Sequence, residues 1–315
     1  MSEFDLIKRY FTRPAPSASL GVGDDAALLT ISEGMELAVS TDMLVSGTHF
    51  LPDTDPFLLG HKTLAVNLSD LAAMGAVPRW ATLALSLPGK NENWLQRFSD
   101  GFFSLANEHG VELIGGDTTR GPLNLCVTIM GEVPKGKALR RSGAIAGDDI
   151  WVSGIPGMAA LGLAYLQGKT ELPEDDRIFC LAALHKPQPQ VALGLALHGI
   201  AHSAIDISDG LLADLGHILE SSSLGAELQF DAIPKMTSGN IATELLQQCV
   251  LSGGDDYELC FTAPVAKRAQ IEAIALQLQV PLTRIGLTRA EQGCVVRTAE
   301  GDVITTRESG YDHFK

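Results

Sequence analysis

A chain of 315 residues, 45% hydrophobic and 19% charged, can bury roughly two domains' worth of core and is too apolar to be a disordered chain. Thirty-eight acids against 23 bases leave a formal net charge of -15, which excludes nucleic-acid or anionic-membrane binding through a basic surface. The same charge is compatible with a carboxylate-rich site offset by divalent cations.

In chain order, residues 36–50 read as two short strands around "STDM". "DPFLLGHKTLAVNLSDLAAMGA" then opens a long helix, with Asp55 as N-cap and Pro56 at its first position. "RWATLALSL" (79–87) reads as a strand, "NENWLQRFSDGFFSLANEHG" as an amphipathic helix closed by Gly110, and "LNLCVTIMGEV" (123–133) as a strand. The basic, glycine-containing stretch 134–149 has the composition of a connection between domains, so the boundary is set between residues 136 and 137. Beyond it, "DIWVSG" predicts a strand, "AALGLAYLQG" and "PQVALGLALHG" helices, "SAIDIS" a strand and "DGLLADLGHILESS" a helix. The fold class is therefore α+β or α/β in two domains. The five cysteines, at no metal or redox spacing, read as reduced thiols. The N-terminus lacks a secretory pattern and no apolar run approaches about 18 residues, so a soluble, cytoplasmic protein with no membrane partner is expected.

Acidic turns recur along this framework: "GVGDDAALL" (21–29), "STDML" (40–44), "NLSDLAAMGA" (67–76), "LIGGDTTRG" (113–121), "DISDG" (206–210) and "SGGDDYEL" (252–259). Each has a plain structural explanation. Gly-Asp is ordinary turn chemistry, Asp209 can cap the helix that follows it, and "LIGGDTTRG" can be a tight turn between strands. Asp70 is more telling, because it lies on the otherwise apolar face of its helix with Asn67 one turn before it. A carboxylate there is either hydrogen-bonded and paired or coordinated to metal. Ser40, Thr41 and Asp42 offer the oxygens that hard cations choose. Gly115 and Gly116 beside Asp117 and Arg120 would let a polyphosphate approach the backbone. "AGDDIWV" (146–152) carries the same letters after a basic connection and reads as a turn only. Taken together, so many acids at element ends would repel one another unless cations neutralise them. The segment from Gly131 to Ala138 is a near miss for a P-loop, rejected because Ala138 stands where a hydroxyl residue is needed. Lys62, Arg140 and Arg141 remain as possible phosphate contacts.

These stretches, with "STDMLVSGTHF" and the closing "GYDHF", resemble in order the motifs of the thiamine-monophosphate kinase family from about residue 4 to the C-terminus. The resemblance implies a two-domain fold like aminoimidazole ribonucleotide synthetase. Residues 1–136 would bind ATP and Mg2+ and pair with a second copy in an eight-stranded dimeric barrel, and 137–315 would form the α/β domain. It implies Mg2+-dependent transfer of the γ-phosphoryl group of ATP to thiamine monophosphate, giving thiamine diphosphate. Carried over by position, Asp25, Ser40, Thr41, Asp42, Asp70, Asp117, Asp206 and Asp209 would hold Mg2+ directly or through water, with Asp42, Asp117 and Asp209 central to catalysis. Gly116, Asp117, Arg141 and Ser208 would serve ATP, and His49, Asp255 and Tyr311 the thiamine phosphate. Where some relatives read Gly-Gly-Glu-Asp, this chain has Asp255 in the shorter Gly-Gly-Asp-Asp. Two rival readings remain: another ATP-dependent enzyme of the same superfamily, and a Mg-nucleotide-binding regulatory protein without turnover. Selenophosphate synthetases are disfavoured because the first cysteine here is Cys126.

Overall fold

The structure, a computed structural model, describes residues 2–237, 241–305, 310, 311 and 314. The chain divides into two units, Met1–Leu71 with Ala76–Gly136, and Ala72–Gly75 with Lys137–Lys315.

In the first unit, Ser2 and Asp5 form a capping box that starts helix α1 (Glu3–Leu6), which runs on into a π-turn at Ile7–Phe11. Strand β1 (Met35–Val45) and helix α2 (Pro56–Ala73) follow, then β2 (Val77–Leu87), α3 (Glu92–His109), β3 (Glu112–Arg120) and β4 (Asn124–Pro134). Local chemistry sets the helix ends. Asp55 Oδ1 accepts from the Phe57 and Leu58 amides at 2.9 and 3.3 Å, Asn91 accepts from Trp94, and Gly110 closes α3 at φ 66°.

The strands form an open sheet in the order β1-β4-β2-β3, with β2 and β3 parallel and the other neighbours antiparallel. Side chains alternate along it. Leu125, Val127 and Ile129 of β4 are fully buried, while Cys126, Thr128 and Met130 are half-buried on the other face. On β1 the outward residues Leu37, Val39 and Met43 are exposed. Two sequence expectations are corrected here. The stretch 36–50 is not two short strands, because β1 pairs without interruption from Met35 opposite Pro134 to Val45 opposite Asn124. "LIGGDTTRG" is not a turn but most of β3, zipped in parallel to β2. That pairing satisfies the backbone groups along the side of β3 that faces β2.

The second unit comprises β5 (Asp149–Ser153), α4 (Met158–Leu166), α5 (Glu174–His185), α6 (Val191–Ala196), β6 (Ser203–Asp206), α7 (Leu211–Ser222) and β7 (Gly225–Gln229). It continues with α8 (Thr243–Ser252), β8 (Leu259–Ala263), α9 (Arg268–Leu278), β9 (Leu282–Arg289), β10 (Gly293–Arg297) and β11 (Val303–Ile304). Its mixed sheet runs β11-β10-β7-β9-β5-β8-β6, with β7 and β10 parallel. Ile150 and Val152 of β5, Ile205 of β6, Leu211, Leu215 and Ile218 of α7 and Val250 of α8 share one buried core. β6 therefore ends against the start of α7, which sets the "DISDG" turn at a rigid strand-helix junction.

The acids of "AGDDIWV" are structural. Asp148 accepts from the Ile145 amide and lies 2.8 Å from His202 Nδ1, while Asp149 takes both guanidinium bonds of Arg268 at 2.6 and 2.7 Å.

Candidate active site

In the first unit β1 presents alternate side chains to opposite faces, and this decides which acidic-turn residues meet. Ser40 and Asp42 share the face that bears Leu44, which is buried. Ser40 Oγ donates to Asp70 Oδ2 at 2.5 Å, and the Asp42 amide donates to Asn67 Oδ1 at 3.2 Å. Asn67 and Asp70 are three residues apart on α2 and so lie on one helix face. Asn67 Nδ2 in turn donates to the Thr63 carbonyl. The seam between β1 and α2 is thus a set of hard oxygens: a hydroxyl, an amide carbonyl and two half-buried carboxylates.

Thr41 is turned the other way. Its hydroxyl lies 2.8 Å from that of Thr128 on the outward face, so its side chain is not part of the seam. His49 Nδ1 accepts from the Val45 amide at 3.0 Å, which leaves the ring proton on Nε2. Asp25 is exposed in the turn after Gly23, outside the named strands.

Asp117 lies on the sheet edge, opposite Ala84 and in one cross-strand row with Cys126 and Met43. The adjoining row is Asp42, Val127, Leu83 and Gly116. Three strand spacings, ~14 Å, separate β1 from β3, so Asp42 and Asp117 cannot both touch one ion. Among the described residues no three His, Cys, Asp or Glu side chains gather at metal-holding distance. Magnesium does not require such a cage; it takes one or two carboxylates and completes its octahedron with phosphate and water. The donors at the β1–α2 seam fit that need.

In the second unit, Asp206 ends β6 and is buried, and Ser208 and Asp209 follow in the turn to α7. The turn packs against a second glycine-rich segment. Asp255 N donates to Ser208 O, Tyr257 N to Ile207 O and Ile207 N to Glu258 O, all at 2.7–2.8 Å. A Cβ on Gly254 would lie 2.3 Å from Ser208 O, so only glycine permits this approach. Asp255 and Tyr257 both adopt positive φ, 73° and 54°, and Tyr257 Oη donates to Asp255 Oδ1 at 2.9 Å. Two left-handed non-glycine residues within three positions mark a segment held in a strained conformation by its surroundings. Tyr311 N donates to Asp209 O at 3.0 Å, tying the tail to the same turn. Asp312 and His313 of the closing motif lie outside the described residues. Arg141 is exposed.

Residues 23–133 match the family described as AIR synthase related protein, N-terminal domain. Over 99% of this chain and 98% of its relative, the sequence is 49% identical to the thiamine-monophosphate kinase of Salmonella typhimurium (strain LT2). The chain belongs to the thiamine-monophosphate kinase family. The crystal structure of thiamine-monophosphate kinase from Stenotrophomonas maltophilia K279a is similar to it, with a TM-score of 0.85 at 48% identity over 96% of both chains. A structure described as AaThiL complexed with AMPPCP and TMP has a TM-score of 0.78 at 26% identity, over 99% of this chain and 96% of that one.

Within this family member, sequence reasoning noted Asn67 without giving it a role and missed Thr128, Asp214 and Asp256. Asn67 and Thr128 bond to Asp42 and Thr41, residues it singled out. Asp214 and Asp256 are buried carboxylates bonded to backbone amides. Asp256 accepts from Gly157 and Ala159 at the start of α4, and burial pushes its carboxyl well above the usual range despite those bonds. Asp214 is likewise pushed up to about 6 by burial. The thiols carry no activated nucleophile. Burial, then the Asp42 charge, raises Cys126, and burial pushes Cys180 and Cys249 to about 11 and 12.

Glu258 supplies a stability prediction. Burial pushes its carboxyl up to about 7, against hydrogen bonds from Ser153 Oγ and Gln190. Between the ordinary 4.5 and about 7 the folded chain holds a proton that the unfolded chain has lost. Unfolding free energy therefore falls as pH rises through that window. Glu258→Gln should flatten this slope between pH 5 and 8 in urea-midpoint measurements; an unchanged slope would refute the assignment.

Proposed function

We propose that this chain transfers the γ-phosphoryl group of ATP directly to thiamine monophosphate, producing thiamine diphosphate and ADP with Mg2+. The observation that carries this reading is the β1–α2 seam, where Ser40, Asp42, Asn67 and Asp70 place hard oxygens together in a member of this kinase family.

Asp42 and Asp70, with Ser40 Oγ and the Thr41 carbonyl, would hold Mg2+ in the first unit; Asp25 and Asp117 would hold it elsewhere there, and Asp206 and Asp209 in the second. Bound magnesium would neutralise phosphate charge and draw donor and acceptor oxygens into line. The chain's own residues do the rest. In the first unit Gly116 and Asp117 on the edge strand would serve the nucleotide, and in the second unit Ser208 and Arg141 would. His49, protonated on Nε2, donates to the acceptor phosphate, and Asp255 and Tyr311 contact the thiamine moiety. A phosphate monoester with a second pKa of about 6 is already mostly ionised at neutral pH, so no strong general base is needed. The raised thiol pKa values favour direct transfer over a cysteine-bound intermediate.

The assay is incubation with Mg2+, ATP and thiamine monophosphate, with thiamine as a control acceptor. Thiamine diphosphate should appear with one ADP per product. ADP without that product, or no turnover, would overturn the reading in favour of another superfamily enzyme or a nucleotide-binding regulator.

The chain acts, in this reading, as a cytoplasmic homodimer. Five free cysteines suit a reducing compartment, and among the described residues no helix is long and apolar enough to cross a membrane. The outward sheet face of the first unit, with Leu37, Val39 and Met43 exposed by 41%, 57% and 54%, supports pairing of two four-stranded sheets into an eight-stranded barrel. Val39→Asp should yield a monomer by light scattering at micromolar concentration; a persistent dimer would exclude this face.

A further inference from the structure

The turn between β6 and α7 is bonded on every side. Its three consecutive amides, Ser208, Asp209 and Gly210, donate to the single oxygen Oδ2 of Asp214 at 3.0, 3.0 and 3.1 Å. Its carbonyls are equally occupied. Ile207 O and Ser208 O accept from Tyr257 and Asp255, and Asp209 O accepts from Tyr311. An ordinary N-cap precedes its helix, whereas here the residue before α7 is Gly210, which makes no side-chain cap bond. Asp214 sits one turn inside the helix, 3% exposed, and reaches back to gather the amides. Its own amide donates to Gly210 O at 3.0 Å, so the side chain is anchored to the helix that it clamps.

We infer that Asp214 is a positioning residue that fixes the 208–210 turn, so that Ser208 and Asp209 project in one geometry toward nucleotide and metal. The inference rests on the kinase reading above, but the clamp can be tested without it. Three converging amides form a cradle that recognises an anion, and here the chain supplies that anion itself. Asp214 touches no substrate in this assignment. Its contribution is to remove slack from a backbone whose side chains do the binding.

The position of the acceptor oxygen, rather than the carboxylate charge, is the operative feature, and two variants separate these. Asp214→Asn keeps an oxygen in place and loses the charge. Asp214→Glu keeps the charge and displaces the oxygen by a methylene; Asp214→Ala, which cannot overfill the site, replaces it if the Glu variant does not fold. In the full-length, ligand-free wild type, the amides of 208–210 should exchange with deuterium as slowly as those inside α7. Asp214→Asn should keep that protection, and its affinity for AMPPCP with Mg2+, within about threefold. The displaced or truncated variant should exchange these amides at least tenfold faster, with α3 amides unchanged, and bind AMPPCP at least tenfold more weakly. Rapid exchange in the wild type, wild-type protection in the truncated variant, or equal loss in the Asn and Glu variants would each overturn the clamp. Accelerated exchange in a chain that never binds nucleotide would uphold the clamp and overturn the kinase reading instead.

Discussion

Asp42→Asn should lower thiamine diphosphate formation by about three orders of magnitude and leave the melting temperature within a few degrees. The side chain lies half-buried on the inner face of β1, and its backbone amide is held by Asn67. The isosteric amide preserves the strand, its register with Val127 and the Asn67 bond. What it removes is one negative charge at the seam shared with Ser40 and Asp70. A charge-stabilising group in such a site can contribute about 4 kcal/mol to the barrier, which is the expected loss. Asp117→Asn, three strands away, should produce a comparable fall, because ~14 Å of sheet prevents one acid from replacing the other. Wild-type rates in both variants would remove the metal assignment; a collapse in melting temperature would show that the acids support the fold instead.

Gly116→Ala should destabilise the first unit by about 3 kcal/mol and abolish activity with it. Gly116 adopts φ +148° within β3, and a Cβ there would sit 1.9 Å from the Leu83 carbonyl oxygen on the neighbouring strand. The contact is with backbone inside a parallel ladder, so relief requires the edge strand to move away from β2. Gly115 makes the control. The nearest atom to its Cβ would be Thr82 Cγ2 at 3.8 Å, and alanine there should change stability by less than about 1 kcal/mol. Equal urea midpoints for the two variants would contradict the steric argument.

The helix boundaries and the family were legible in the residues because their signals are local. Asp55 and Pro56 start α2, and Asn91 and Gly110 bracket α3, through bonds that span two to four positions. A carboxylate on the apolar face of α2 was equally visible as an anomaly, and the ordered acidic motifs carried the resemblance that the relatives bear out. Strand β3 was not legible. Its glycines look like a turn until β2 supplies a partner strand along Glu112–Arg120.

Nor could the sequence sort three neighbours in "STD". Ser40 and Asp42 face α2, and Thr41 faces Thr128, because pleating turns successive side chains to opposite sides once the strand's pairing is set. At the second turn the letters favoured Asp209 as the helix cap, yet Asp214 takes the amides. Composition and local order determined helices α2, α3, α4, α6 and α7, the acidic character and the family. Tertiary pairing decided which face each acid occupies and which oxygen meets which amide, since those depend on partners many residues away that no short window contains.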